Sequence, residues 1–147
     1  MKKPLWAVLE LPLKTTKESV WSVLTEPKYT MQYMYNCALQ CNWEIGDKVE
    51  WVETHDDGAT IIHVVGELLE YTPYRILRFS ISHKRAGLKG QYSELRFRII
   101  PHTEGVLLTI EQGDFSSFPK AKEIHAECQR GWLYVQQDLK KTCLNYT

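Results

Sequence analysis

The feature that most constrains this chain is its last long periodic segment, from Pro119 to Leu144. Ile124, Cys128, Trp132, Val135, Leu139 and Cys143 recur at steps of three and four, which places them along one stripe of a helix. Lys122, Glu123, Glu127, Arg130, Gln137, Asp138 and Lys141 mostly take up the rest of its surface. Pro119 suits the first turn, where a missing N–H costs nothing. At about 1.5 Å per residue the helix is on the order of 36 Å long, enough to cross a whole small sheet. Its apolar stripe needs an apolar partner, and the residues before it are patterned to supply one.

Leu5, Ala7, Leu9, Leu11 and Leu13 alternate with a less uniformly apolar set and predict a first strand. Thr15 and Glu18 have the spacing of a capping box, opening a short helix with Val20, Trp21 and Leu24 inward. Pro27 starts a second short helix towards Tyr33. Leu39, Cys41, Trp43 and Ile45 then alternate as a strand up to the Gly46-Asp47 turn, and Val49 and Trp51 continue beyond it. Asp56-Asp57-Gly58 signals a tight turn into a long strand from Thr60 to Tyr71, whose inward face stays open because both alternating sets are largely apolar. Leu77, Phe79 and Ile81, then Leu95, Phe97 and Ile99, then Val106, Leu108 and Ile110 mark three strands with one apolar face each. The glycine-bearing connections at 86–90 and 102–105 suit antiparallel hairpins. The order predicts an α+β fold: a twisted antiparallel sheet of about six or seven strands wrapped around the long C-terminal helix, with two short helices after the first strand.

With 147 residues, 44% of them hydrophobic, the chain can bury a sizeable core and reads as a single domain spanning residues 1–147. Lys plus Arg and Asp plus Glu both number 18, so no net field attracts nucleic acid or an anionic membrane, and no nucleic-acid partner is expected. Met1-Lys2-Lys3 before Leu5–Leu13 has the start of a secretory signal, but Glu10 and Pro12 interrupt it and no cleavage site follows. No run approaches the roughly 18 to 20 apolar residues of a membrane span, so a cytoplasmic location is expected. Cys37, Cys41, Cys128 and Cys143 read as free thiols. On a strand, Cys37 and Cys41 would lie about 13 Å apart, too far for one zinc. His125-Ala126-Glu127 lacks the Pro-Cys-x-x-Cys of a zinc deaminase, and Gly87-Leu88-Lys89-Gly90 is no phosphate loop. No metal and no cofactor are expected.

Several short motifs stand in a telling order: Val20-Trp21 with Leu24-Thr25-Glu26-Pro27, Trp43-Glu44-Ile45-Gly46, Asp57-Gly58, Gly66-Glu67-Leu68-Leu69-Glu70, Pro73 with Leu77, and Gly131-Trp132. Their sequence resembles the START/SRPBCC superfamily, and within it most of all the homologues of the activator of heat-shock protein 90 ATPase. The likeness spans nearly the whole chain. It implies a helix-grip fold with a cavity between sheet and long helix. It leaves the activity open, because the superfamily includes lipid and hormone carriers, polyketide cyclases and dehydratases, and allergen-like binders.

Inward alternation makes Tyr33, Trp43, Trp51, Phe79, Ile81, His83, Ser93, Phe97, Ile110, Gln112, Trp132 and Val135 the candidate cavity lining, with Tyr33, His83, Ser93 and Gln112 as polar anchors. Taken one at a time, ordinary core packing explains each aromatic better. His83 continues the inward series Leu77, Phe79, Ile81 and titrates near neutrality, so it and Tyr33 are the candidates for proton transfer. No paired carboxylates or nucleophile elbow accompany them. Three functions follow, in order. The first is a module binding a hydrophobic or amphipathic small molecule, lipid included. The second is a stress-related co-chaperone that meets a chaperone through its surface, and the third a cyclase- or hydrolase-type enzyme. Monomer and homodimer both stay open, the latter through a paired edge strand.

Overall fold

The computed structural model describes residues 3–146. In chain order the elements are β1 (Ala7–Leu13), α1 (Lys17–Thr25), α2 (Pro27–Tyr33), β2 (Cys37–Gln40), β3 (Lys48–Thr54), β4 (Thr60–Thr72), β5 (Ile76–Ser82), β6 (Tyr92–His102), β7 (Gly105–Gly113) and α3 (Ala121–Leu144). The seven strands form one antiparallel sheet in the order β1-β7-β6-β5-β4-β3-β2. From β2 to β7 the chain is a continuous meander, and β1 pairs with β7 at the far edge. The sheet curls around α3, which gives the α+β helix-grip architecture.

Alternation sets the two faces. β1 buries Ala7, Leu9, Leu11 and Leu13 and exposes Val8, Glu10 and Pro12. The inward residues of β5, β6 and β7 join Trp132, Val135, Leu139 and Cys143 of α3 in one core, to which α1 and α2 add Val20, Leu24 and Tyr33. Each large side chain removed from water there contributes about 1.5 to 3 kcal/mol. On the outer face Arg78 bridges Glu70 and Glu94, while Arg96 pairs with Glu94 and lies over the Trp6 ring. Such partly exposed pairs add little stability, but they keep that face wetted. No helix among the described residues is long and apolar enough to cross a membrane.

Local chemistry moves several sequence-predicted boundaries. Thr16, not Thr15, caps α1: its backbone is extended (φ −92, ψ 157) and its hydroxyl accepts from Ser19 N at 3.1 Å. α3 starts at Ala121 rather than Pro119 because Lys120 is left-handed (φ 55), which a continuous helix does not allow. The strand expected through Ile45 stops at Gln40. Trp43 is left-handed there (φ 65), and Asp47 Oδ2 accepts from Glu44 N at 3.0 Å, so the chain turns and leaves Ile45 65% exposed.

The undecided face of β4 has a definite cause. Trp51 pairs with Val64 but Val52 with Ile62, and Leu68 pairs with Phe79 but Glu70 with Arg78. His63 and Leu69 are thus extra residues, and each bulge resets the alternation. Val64, Leu68 and Tyr71 all reach the core although they do not share one parity. Between the bulges lies Gly66, where an added Cβ would fall 1.9 Å from Ser80 O.

Both sheet edges are closed by helix side chains. At β1 the Gln129 amide accepts from Val8 N at 3.0 Å and donates to Val8 O at 2.9 Å. His125 Nε2 donates to Trp6 O at 2.9 Å, and Pro12 has no N–H to offer. At β2 the Thr30 hydroxyl accepts from Leu39 N at 2.9 Å and lies 3.0 Å from Cys37 O. A second copy adding a strand at either edge would first have to displace these groups.

Two substitutions test this account. Gly66→Ala is expected to destabilise by roughly 3 kcal/mol, since backbone rather than a movable side chain blocks the Cβ, and denaturant unfolding measures it. Gln129→Ala is expected to cost about 1 kcal/mol and to raise concentration-dependent association, read by light scattering.

Candidate functional site

The two short helices do not cover the whole of α3. They meet its C-terminal half, where Tyr33 lies beside Cys143, and Tyr29 packs on Tyr146, just beyond the helix end, at 5.2 Å between ring centroids. Above the other half of the sheet a cavity of about 500 Å³ remains. Trp51, Val64, Ile81 and Leu95 of four successive strands form its floor, and Ile124, Cys128 and Trp132 of α3 its roof. Phe115 and Leu88, from loops, contribute to the wall, and the remaining lining includes Met34, Tyr35, Cys37, His63, Lys84, Arg85 and Glu127.

One line of polar groups crosses this apolar space. The Trp132 indole N–H donates to Gln112 Oε1 at 3.0 Å, and the Cys128 thiol reaches the same oxygen at 3.3 Å. Gln112 Nε2 donates to Ser93 Oγ at 3.1 Å, and Ser93 Oγ lies 2.9 Å from His83 Nε2. The register supports the line, because Leu95 is opposite Gln112 and Ser93 opposite Ile81. The His83 ring stands edge-on to Phe118 and Phe115, at 5.1 and 6.3 Å. Every buried side-chain nitrogen and oxygen among the described residues has a partner.

The rim is tied to one stripe of α3. Arg85, in the β5–β6 connection, pairs with Glu127 at 2.5 Å, and Tyr35, after α2, stacks on Tyr134 with centroids 5.8 Å apart. Between them the Tyr35 hydroxyl lies over Gly131, 4.0 Å from where a Cβ would stand, an ordinary contact that an alanine would also allow. Glu127, Gly131 and Tyr134 sit at the i, i+4 and i+7 positions that share a helix face. The β5–β6 connection is also anchored by Leu88, packed with Phe115, Phe118 and Ile124.

Of the residues singled out from the sequence, Trp51, Ile81, His83, Gln112 and Trp132 are on the cavity wall, and Ser93 lies behind it, joined to His83 and Gln112. Phe79, Phe97, Ile110 and Val135 belong to the surrounding core, with Phe97 edge-on to Trp132 at 6.0 Å. Trp43 rests on Tyr71 and Phe79, at 5.2 and 6.3 Å, away from the lining. Tyr33 is sealed in the core: its hydroxyl donates to Val23 O at 3.0 Å, and burial holds its pKa above the usual tyrosine range. The reading missed Val64, concealed by the bulge at His63, and Leu88 and Phe115, which lie in connections without periodicity. Ile124 and Cys128 were within reach, being on the same stripe as Trp132.

Burial pushes the Cys128 thiol to about 12 and Cys37 to about 11, so both are protonated and poor nucleophiles at neutral pH. Burial lowers the pKa of His83 from its ordinary 6.5. The unfolded chain therefore takes up this proton before the folded one does. The associated stability is present above about pH 6.5 and is lost as pH falls towards the lowered value. His83→Phe is expected to flatten that part of the profile, with thermal midpoints of both proteins measured from pH 7.5 to 4.5. Parallel profiles would contradict it.

Solved structures share this architecture. A protein from Mesorhizobium loti superposes with a TM-score of 0.74 at 19% identity, covering 93% of this chain and 95% of that one. The Aha1 dimer from Colwellia psychrerythraea gives 0.72 at 11% identity over 96% and 97%. CalU16 from Micromonospora echinospora gives 0.71 at 17% identity over 95% and 76%. At such identities the likeness is one of fold. No curated protein matches the chain in sequence. The family described as Activator of Hsp90 ATPase homolog 1-like protein matches residues 14–143, nearly the whole of the fold described above, and the chain belongs to it.

Proposed function

We propose that this protein is a binding module that takes an apolar or amphipathic small molecule, lipid included, into the space between the sheet and the N-terminal half of α3. The observation that carries this reading is the cavity itself: about 500 Å³, mostly apolar and aromatic, crossed by one line of polar groups. That size and composition are those of small-molecule sites in general. The whole chain, residues 1–147, acts as one domain in this reading, and the cytoplasmic location expected from the sequence goes with it. An enzymatic reading has less support, because Tyr33 is enclosed and Glu127, the carboxylate among the lining residues, is held by Arg85. A stress-related co-chaperone meeting a chaperone through its surface draws on the family description, and a homodimer on the Colwellia relative.

The test is thermal unfolding against a panel of fatty acids, sterols and aromatic metabolites. A ligand at about 100 times its Kd stabilises by about 2.7 kcal/mol, which for a chain of this size raises the midpoint by roughly 5 to 10 °C. Cys128→Phe fills the cavity from the helix side and is expected to abolish the rise while the protein stays folded. A panel that never shifts the wild type, or a shift that survives the filling, contradicts the proposal.

A further inference from the structure

We infer that His83 presents Nδ1–H to the cavity as a fixed hydrogen-bond donor, and that the molecule taken there is an uncharged aromatic or polycyclic compound carrying a carbonyl-type acceptor. This deepens the binding reading above and rests on it.

The direction of every proton in the polar line follows from its far end. An indole N–H can only donate, so the Trp132 contact at 3.0 Å fixes the Gln112 amide with its oxygen towards the tryptophan. The amide nitrogen then faces Ser93, and because it too can only donate, Ser93 Oγ accepts at 3.1 Å. Ser93 is 3% exposed, which leaves its own hydroxyl proton little access to water. The remaining partner is His83 Nε2, at 2.9 Å. Nε2 must therefore offer its lone pair, and the neutral ring carries its proton on Nδ1.

Nδ1 has no protein partner among the described residues and is not enclosed, so its donor is open to whatever enters. The charged lining residues Lys84, Arg85 and Glu127 are exposed and belong to the rim, with Glu127 already paired. The ligand meets the rings of Trp51, Trp132 and Phe115, hence a flat apolar body, and, besides the hydroxyls of Tyr35 and Ser82 and the His63 ring, the donor of His83, hence an acceptor placed against it.

Two measurements test this. The first is imidazole ¹⁵N NMR of the unliganded protein, where the proton of His83 is expected on Nδ1; a proton on Nε2 overturns the assignment. The second compares 9-fluorenone with fluorene, which differ by a ketone in place of a methylene, through the concentration of each that half-saturates the thermal shift. The wild type is expected to need roughly two- to tenfold less fluorenone, the value of one hydrogen bond, although the ketone is the more water-soluble of the two. His83→Phe is expected to cancel the preference. Equal stabilisation of the wild type by both compounds overturns the donor and leaves the pocket standing; stabilisation by neither overturns both.

Discussion

One helix has to cover the single apolar face of a seven-stranded sheet, and the rest of the structure follows from that mismatch. Laid flat, seven strands at about 4.8 Å spacing span roughly 29 Å, while a helix with its side chains is about 10 to 12 Å across. The sheet curls to narrow the gap, and α1 and α2 fill it beside the C-terminal half of α3. Among the described residues no helix stands beside the N-terminal half, so the cavity is the space the covering leaves over. The same helices also close the sheet sideways, through Gln129 at one edge and Thr30 at the other. Packing and edge protection are thus one arrangement.

A polar line inside an apolar space is stable only when each member is satisfied, since an unpaired buried group costs about 1 to 3 kcal/mol. Here Trp132, Gln112, Ser93 and His83 satisfy one another in a single sense, and the only end left open is the one at the cavity. The line also couples the helix to two strands of the sheet, β7 and β6, and to the first residue after β5. Its cost in desolvation is moderated because none of the four groups needs to be charged, which fits the lowered pKa of His83. At the rim, two exposed contacts, Arg85 with Glu127 and Tyr35 with Tyr134, hold flanking segments to α3 without burying them.

The fold was legible in the sequence wherever periodicity was undisturbed. The series Leu77, Phe79, Ile81 and the α3 stripe through Trp132 and Leu139 each gave the right face. Legibility failed where one residue broke the period. Trp43 takes a left-handed backbone that alternation alone does not reveal, so the strand expected through Ile45 ends early and Ile45 is exposed. His63 and Leu69 each add a residue to β4, so no single parity describes it. The site was legible only in part for a related reason. Tyr33 has the right chemistry for a cavity anchor, but its hydroxyl is used inside the core by Val23 O, a tertiary contact without a local signature. Leu88 and Phe115 reach the wall from irregular connections, where hydrophobic pattern carries no direction.

The central claim is that the space under the N-terminal half of α3 receives a small molecule. Methyl NMR during titration with 9-fluorenone tests it most directly, because it locates the probe. Shifts are expected at Ile81, Leu95 and Ile124, which line the cavity, and unmoved signals from Leu108 and Leu139, which are fully enclosed in the core. Shifts confined to the exposed Ile45, Ile61 and Ile62, with the three cavity methyls unmoved, would contradict it.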